Sequence, residues 1–165
     1  VTVDPCDHQC AVGETGCSAD NSQSYACGEN DADICRDFIW DSCDPGYTCS
    51  GGSCSLDPAP AAPVLSKSDS AVLKNQTYTI SWTDTGTGYE LEEATNSSFT
   101  GSIGWSTGFN SKDFSHAPGL KTTYYYRIRA LGLAGQKSAW SNTVSVTVDP
   151  CSHDCALGED RKSVV

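Results

Sequence analysis

From about residue 64 onward, apolar and polar residues alternate in short runs, the period of strands that bury one face. Tyr78, Ile80 and Trp82 share one face of Y-T-I-S-W-T, and Tyr89 and Leu91 one face of Y-E-L-E-E-A. Tyr124, Tyr126, Ile128 and Ala130 alternate in Y-Y-Y-R-I-R-A, as do Val144, Val146 and Val148 in V-S-V-T-V. Turn signals separate these runs: Asp84-Thr85-Gly86, Asn96-Ser97-Ser98, Pro118-Gly119 and Gly132 to Gly135. No stretch of ten or more residues here follows the helical period. The pattern predicts an all-β sandwich of about seven short strands.

The preceding residues have a different character. Eight cysteines (Cys6, Cys10, Cys17, Cys27, Cys35, Cys43, Cys49, Cys54) fall before residue 55, none between 55 and 150, and Cys151 and Cys155 lie near the end. Large apolar residues are few there, so cross-links must replace the core that so short a segment cannot build. All ten cysteines are therefore read as disulfide-forming, in an oxidising compartment outside the cell or at its surface. Spacing alone does not choose among the 105 pairings open to eight cysteines. The implied organisation is a loop-dominated Cys-rich module over 1–56, a Pro-rich linker over 57–63, and a sandwich over 64–149. Residues 150–165 are either the start of a second Cys-rich module or a diverged C-terminal tail.

An internal repeat ties these parts together. V-T-V-D-P-C-D-H-Q-C-A-V-G-E (1–14) returns as V-T-V-D-P-C-S-H-D-C-A-L-G-E (146–159), with eleven of fourteen positions identical at an offset of 145. Residues 1–4 thus copy the sandwich's last strand, as if a preceding unit had been cut away. A building block that recurs along a longer chain is the expected origin.

The sandwich segment resembles the fibronectin type III family. The proline-rich entry P-A-P-A-A-P-V-L, Trp82 on the second strand, Y-Y-Y-R-I-R-A ending at Ala130, and the closing S-A-W-S-N-T-V-S-V-T-V carry the resemblance, which covers roughly 58–149. Together with L-E-E-A-T-N-S-S-F, it looks like the versions found in secreted bacterial proteins. It implies a two-sheet sandwich in which Tyr124 starts the penultimate strand and bonds back into the preceding corner. No R-G-D tripeptide occurs, so integrin binding does not carry over.

Charge narrows the partners. The chain's net charge is −11. Eleven acids against the single Arg36 put −10 of it in residues 1–57. Nucleic acid is excluded as a partner, since its binding needs clustered Lys and Arg. No apolar run is long enough for a membrane-spanning helix. Glu29, Asp31, Asp33 and Asp37 alternate in a way that suits calcium, but the twelve-residue binding loop is missing. Cys6, His8 and Cys10 with His153 raise zinc, but no C-x2-C pair exists. No cofactor is therefore expected beyond a weak calcium site. Trp105 and Trp140, placed near strand ends, are the candidate contacts for a sugar or protein. Asn75 and Asn96 head glycosylation sequons.

No nucleophile, phosphate loop or haem motif is present, and no enzyme is expected. The leading functional expectation is a structural repeat unit of an extracellular fibre, filament, stalk or surface adhesin. It would self-associate or stand in tandem with copies of itself. The alternative is a carbohydrate- or protein-binding accessory module of a larger secreted enzyme or adhesin.

Overall fold

A computed structural model describes residues 9–29 and 35–150. Its regular elements among these residues are thirteen β-strands. One compact unit runs through Pro58, and a second takes up at Ala59.

The first unit is a pair of small sheets. β1 (Thr15–Cys17), β2 (Gln23–Gly28) and β3 (Asp37–Ser42) form an antiparallel sheet in that order, and β4 (Tyr47–Ser50) pairs β5 (Ser53–Leu56) as a hairpin. The module expected to be loop-dominated thus carries five strands. The β1–β2 turn is set by Asp20, whose carboxylate accepts hydrogen bonds from Ser18 Oγ at 2.6 Å and from Ser22 N and Oγ at 3.1 and 2.8 Å. Those hydroxyl and amide bonds, the Ser18 hydroxyl foremost, hold the exposed carboxyl down at about pKa 2. In β4–β5, Gly51 and Gly52 take φ values of 61° and 83°, the left-handed conformation that a two-residue hairpin turn requires.

Disulfides join these pieces. Cys10 pairs with Cys27, Cys17 with Cys49, and Cys43 with Cys54, closing separations of 17, 32 and 11 residues. Cys35 is also disulfide-bonded, and its partner lies outside the described residues. Cys6, Cys151 and Cys155 lie outside them as well. The Cys17–Cys49 bond fastens the three-stranded sheet to the hairpin. Among the described residues, Cys10 and Cys49 are the buried apolar ones of this unit, so sulfur is prominent in its centre.

The second unit is a two-sheet sandwich. β6 (Leu65–Lys67), β7 (Ala71–Leu73), β8 (Thr77–Trp82), β9 (Gly88–Ala94), β10 (Ile103–Thr107), β11 (Ser111–Ser115), β12 (Thr122–Leu131) and β13 (Val144–Asp149) follow in chain order. One sheet runs β11-β8-β6 and the other β10-β9-β12-β13-β7, antiparallel apart from the short β13–β7 pairing. With the short β7 set aside, β6, β8 and β11 thus face β9, β10, β12 and β13, a Greek-key sandwich arrangement. Leu65, Val72, Tyr78, Ile80, Trp82, Tyr89, Leu91, Phe114, Tyr126, Ile128, Ala130, Val146 and Val148 fill the space between. The alternating residues of the sequence do point inward, and β12 shows why register matters. Tyr126, Ile128 and Ala130 face the core, leaving Arg127 and Arg129 outside.

Candidate functional site

The segment S-A-W-S-N (138–142) shapes the outer surface of the larger sheet. Ser138 N–H donates to Ala130 O and Ser138 Oγ accepts from Ala130 N–H; Ser141 does the same with Ile128. The two serines thus stand in for ladder partners of β12. Trp140, between them, is set beside the outward arginines of that strand. Asn142 then clamps β6, its Oδ1 accepting from Leu65 N–H at 2.8 Å and its Nδ2 donating to Leu65 O at 3.0 Å.

Around Trp140 a ladder of rings and guanidiniums forms. The Arg127 and Arg129 guanidiniums lie 4.3 and 4.5 Å from its ring centre, and Arg127 also lies 4.3 Å from the Phe99 ring. Phe99 reaches that position from the Asn96–Gly101 turn, where its own φ is 58°. Glu90 and Glu92 stand directly across from Arg129 and Arg127 in the β9–β12 register. They pair with those arginines at 2.6 and 2.7 Å, and Lys137 adds a second cation to Glu90 at 2.8 Å. Hydrogen bonds from Lys137 and then Arg129 hold the Glu90 carboxyl below its ordinary range. The charged members are all partly exposed, so each ion pair contributes little alone. A depression of about 190 Å³ opens beside this ladder, with Glu90, Glu92, Ser106 and Trp140 on its walls and the β9–β10 backbone as its floor. Gly104 leaves that floor open, because a Cβ there would approach nothing nearer than Leu91 O at 3.8 Å.

The two candidate tryptophans do not share this surface. Trp105 sits mid-strand opposite Leu91, which is fully buried, so its side chain turns to the inner face. There it packs edge-on against Phe114 at 5.5 Å, with Lys112 Nζ 5.5 Å from the ring. Trp105 therefore gives the depression only backbone, and Trp140 has two guanidiniums on its ring already. Of the calcium candidates, Glu29 is exposed just after β2 and Asp37 begins β3, whereas Asp31 and Asp33 lie outside the described residues. Among the described residues no group of three or more His, Cys, Asp or Glu side chains is arranged to hold a metal ion.

A second polar cluster lies within the sandwich. Glu93, 6% exposed, accepts a hydrogen bond from Tyr126 Oη at 2.6 Å and lies 3.0 Å from His116 Nε2. Tyr126 Oη also pairs with Tyr78 Oη, and the His116 ring stacks on Tyr124 with centres 3.9 Å apart. Burial, above all, raises the Tyr78, Tyr124 and Tyr126 hydroxyls above the ordinary tyrosine value, and the nearby Glu93 charge adds to it. The Tyr78 and Tyr126 hydroxyls are both partnered inside the protein, so this pair with Glu93 fixes geometry within the sandwich. The sequence carried one signal for it. Alternation that puts Glu90 and Glu92 outside leaves Glu93 one position on, facing in. The resemblance-based corner bond of Tyr124 is not what is seen. Its ring packs on His116, and among the described residues its hydroxyl makes no hydrogen bond into the 117–121 corner.

No protein-family profile matches the chain, and no curated protein matches it. Solved structures do. The chain is similar to a β-1,2-glucanase from Parabacteroides distasonis, at 21% identity and a TM-score of 0.42 over 57% of this chain and 13% of the glucanase. It is also similar to a Fn3-like protein from Clostridium thermocellum, at 22% identity and a TM-score of 0.40 over 58% of this chain and 100% of that one. The fibronectin type III domain of human fibronectin type III domain containing protein 3 gives 24%, 0.39, 64% and 99% in the same terms. The chain therefore spans about an eighth of the glucanase it resembles. Strand order carries the fold assignment beside these distant likenesses: the chain is all-β, a fibronectin type III-like sandwich accompanied by a disulfide-stapled module.

Proposed function

We propose that the chain is a stretch of a longer extracellular protein, in which disulfide-stapled modules and fibronectin type III-like sandwiches alternate as structural, non-catalytic units of a fibre, stalk or adhesin. The observation that carries this reading is the fourteen-residue duplication at an offset of 145. Its second copy begins inside β13, at Val146, so the last strand of the sandwich leads through Asp149-Pro150 into the opening of another Cys-rich segment. The same words at residues 1–4 fit the end of a preceding sandwich. Units that fold separately and follow one another with short connections suit a protein whose task is to span distance outside the cell. Disulfides in the acidic module fit that setting, since they persist only where the surroundings are oxidising.

Mass spectrometry of the native secreted product tests this directly. Peptides that place two or more 145-residue periods in one chain are expected, together with regularly beaded material in electron micrographs. A product ending after a single period and dispersed as monomers overturns the reading.

A second reading, an accessory module that binds a sugar or protein, draws on the depression beside Trp140. Replacing Trp140 and measuring retention on polysaccharide separates the two, since the Trp105 side chain packs inward on Phe114. Unchanged retention removes the second.

A further inference from the structure

The first unit presents three aromatic rings on one side of its sheet. In the β2–β3 register Tyr25 lies across from Trp40 and Cys27 across from Phe38, which puts Tyr25, Phe38 and Trp40 on one face. Tyr25 is fixed there by the strand beneath it. Gly16 is its partner on β1, and a Cβ at Gly16 would fall 2.4 Å from the Tyr25 ring, so only glycine lets the ring lie down. Tyr25 Oη reaches Glu14 Oε1 at 3.4 Å, which brings a carboxylate to the edge of the group. The hairpin meets the sheet's other face at its β1 end, while Ile39 on that face stays 41% exposed. Cys17 on that side bonds to Cys49, and Gly52 of the hairpin turn sits against Thr15.

Cys27 on the aromatic face is cross-linked to the buried Cys10, and Tyr25 and Phe38 are half-buried, so Trp40, on the edge strand β3, is the ring that packing leaves open. Trp40 remains 46% exposed, on the side away from the β4–β5 hairpin. Trp40 is not isolated: it continues into the half-buried Phe38 and Tyr25 rings, and a contiguous aromatic patch of this kind is a binding feature.

We propose that this face docks a basic segment of a partner protein, which lays a Lys or Arg side chain on the Trp40 ring. Two observations select a cation. The first is charge. Residues 1–57 carry eleven acids and one base, a field that draws cationic chains and repels anionic polymers. The second is the mutual tilt of the rings. Tyr25 meets Phe38 at 78° and Trp40 at 59°, and Phe38 meets Trp40 at 47°. Rings so inclined share no plane on which the flat faces of a sugar chain could rest in succession. A point charge needs no common plane, only the electron-rich face of an indole, the best of the aromatic partners.

Calorimetric titration of the full, oxidised chain with hexalysine at low ionic strength tests the proposal, with cellohexaose as the neutral comparison. Trp40→Leu keeps the apolar bulk and removes the ring, so affinity for hexalysine falls about two- to fivefold, while Trp40→Phe retains most of it. Intact mass without free thiols shows that each variant has kept its cross-links. Equal hexalysine affinity in wild type and Trp40→Leu would mean that general charge attraction does all the binding, and the proposal fails. Cellohexaose binding that Trp40→Leu abolishes overturns it too, because the face would then belong to a sugar.

Discussion

The two units of this chain reach order by opposite means. The sandwich buries thirteen apolar and aromatic side chains in one cluster, whereas the described residues of the first unit bury two cysteines and leave Ile39, Trp40 and Tyr47 exposed. Burial of whole Leu, Ile or Tyr side chains contributes roughly 1.5–3 kcal/mol apiece, so the sandwich is held by its folded state. Disulfides act mainly on the unfolded chain, and closing separations of 17, 32 and 11 residues restricts it by roughly 3–4 kcal/mol each. One unit is stabilised by what it gathers, the other by what its unfolded form is denied.

Reduction should break that comparison most visibly. With thiol reductant, residues 9–57 are expected to lose amide protection throughout, because removing several cross-links exceeds the whole stability of a small domain. The sandwich has no cysteine between residues 55 and 150 and is expected to keep both its protection and its melting temperature. Hydrogen exchange followed by mass spectrometry reads both units in one sample. Loss of protection in β8, β9 and β12 on reduction would show that the sandwich depends on the stapled unit.

Inside the sandwich the sharpest test is the buried carboxylate. Tyr126→Phe removes the hydroxyl that donates to Glu93 and leaves a charge short of its partner in a closed space. A loss of roughly 3–4 kcal/mol in urea denaturation is expected. Adding Glu93→Leu to that variant should recover part of the loss, since an apolar side chain asks for no donor. If the double variant is as unstable as the sum of the singles, the two residues do not act as a pair.

The contrast between units also explains which parts the sequence revealed. Strand period exposed β8, β9, β12 and β13, because one side of each is buried and the other wet, and that asymmetry is written in every second residue. It also put Glu90 and Glu92 outside. The first unit offered no such signal. Its strands are half-exposed on both faces, so Gln23–Gly28 and Asp37–Ser42 read as loops, and no alternation marks which of their residues pair. Trp105 and Trp140 were legible as aromatics but not as opposite sides of one sheet. Their placement depends on the β9–β10 register and on the Ser138 and Ser141 bridges, both long-range facts. The Glu93 cluster needed three separate strands and the segment bearing His116 to converge, which no local pattern records.

Alkaline pH probes the same cluster from the proton side. The Tyr78 and Tyr126 hydroxyls are held protonated above the ordinary value near 10, chiefly by burial. Above pH 10 the folded sandwich thus keeps protons that the unfolded chain releases, and stability falls as pH rises. Two such groups lower it by about 3 kcal/mol at pH 11, to order of magnitude. Absorbance titration should show Tyr78 and Tyr126 ionising only together with unfolding. Smooth ionisation of all seven tyrosines near pH 10 while the fold persists would contradict the closed cluster.

The smallest expected effect belongs to the outer ladder, and it separates packing from charge on one surface. Trp140→Leu keeps some apolar cover over the sheet and removes the ring that two guanidiniums contact, so a loss of about 1–2 kcal/mol is expected. Glu90→Gln removes the carboxylate that Arg129 and Lys137 share, yet all three are partly exposed, and the loss should stay under about 1 kcal/mol. Salt distinguishes them further. The Glu90→Gln difference should shrink in 1 M sodium chloride, where the screening length is only about 3 Å, whereas the ring contact persists. Acid should reproduce the Glu90→Gln result in the wild type. The folded carboxyl lies below its ordinary range, so its contribution is present above that range and disappears as pH falls through the lowered folded value. A Glu90→Gln loss larger than that of Trp140→Leu, unmoved by salt, would mean that the arginines are placed by the carboxylates and the indole merely rests on them.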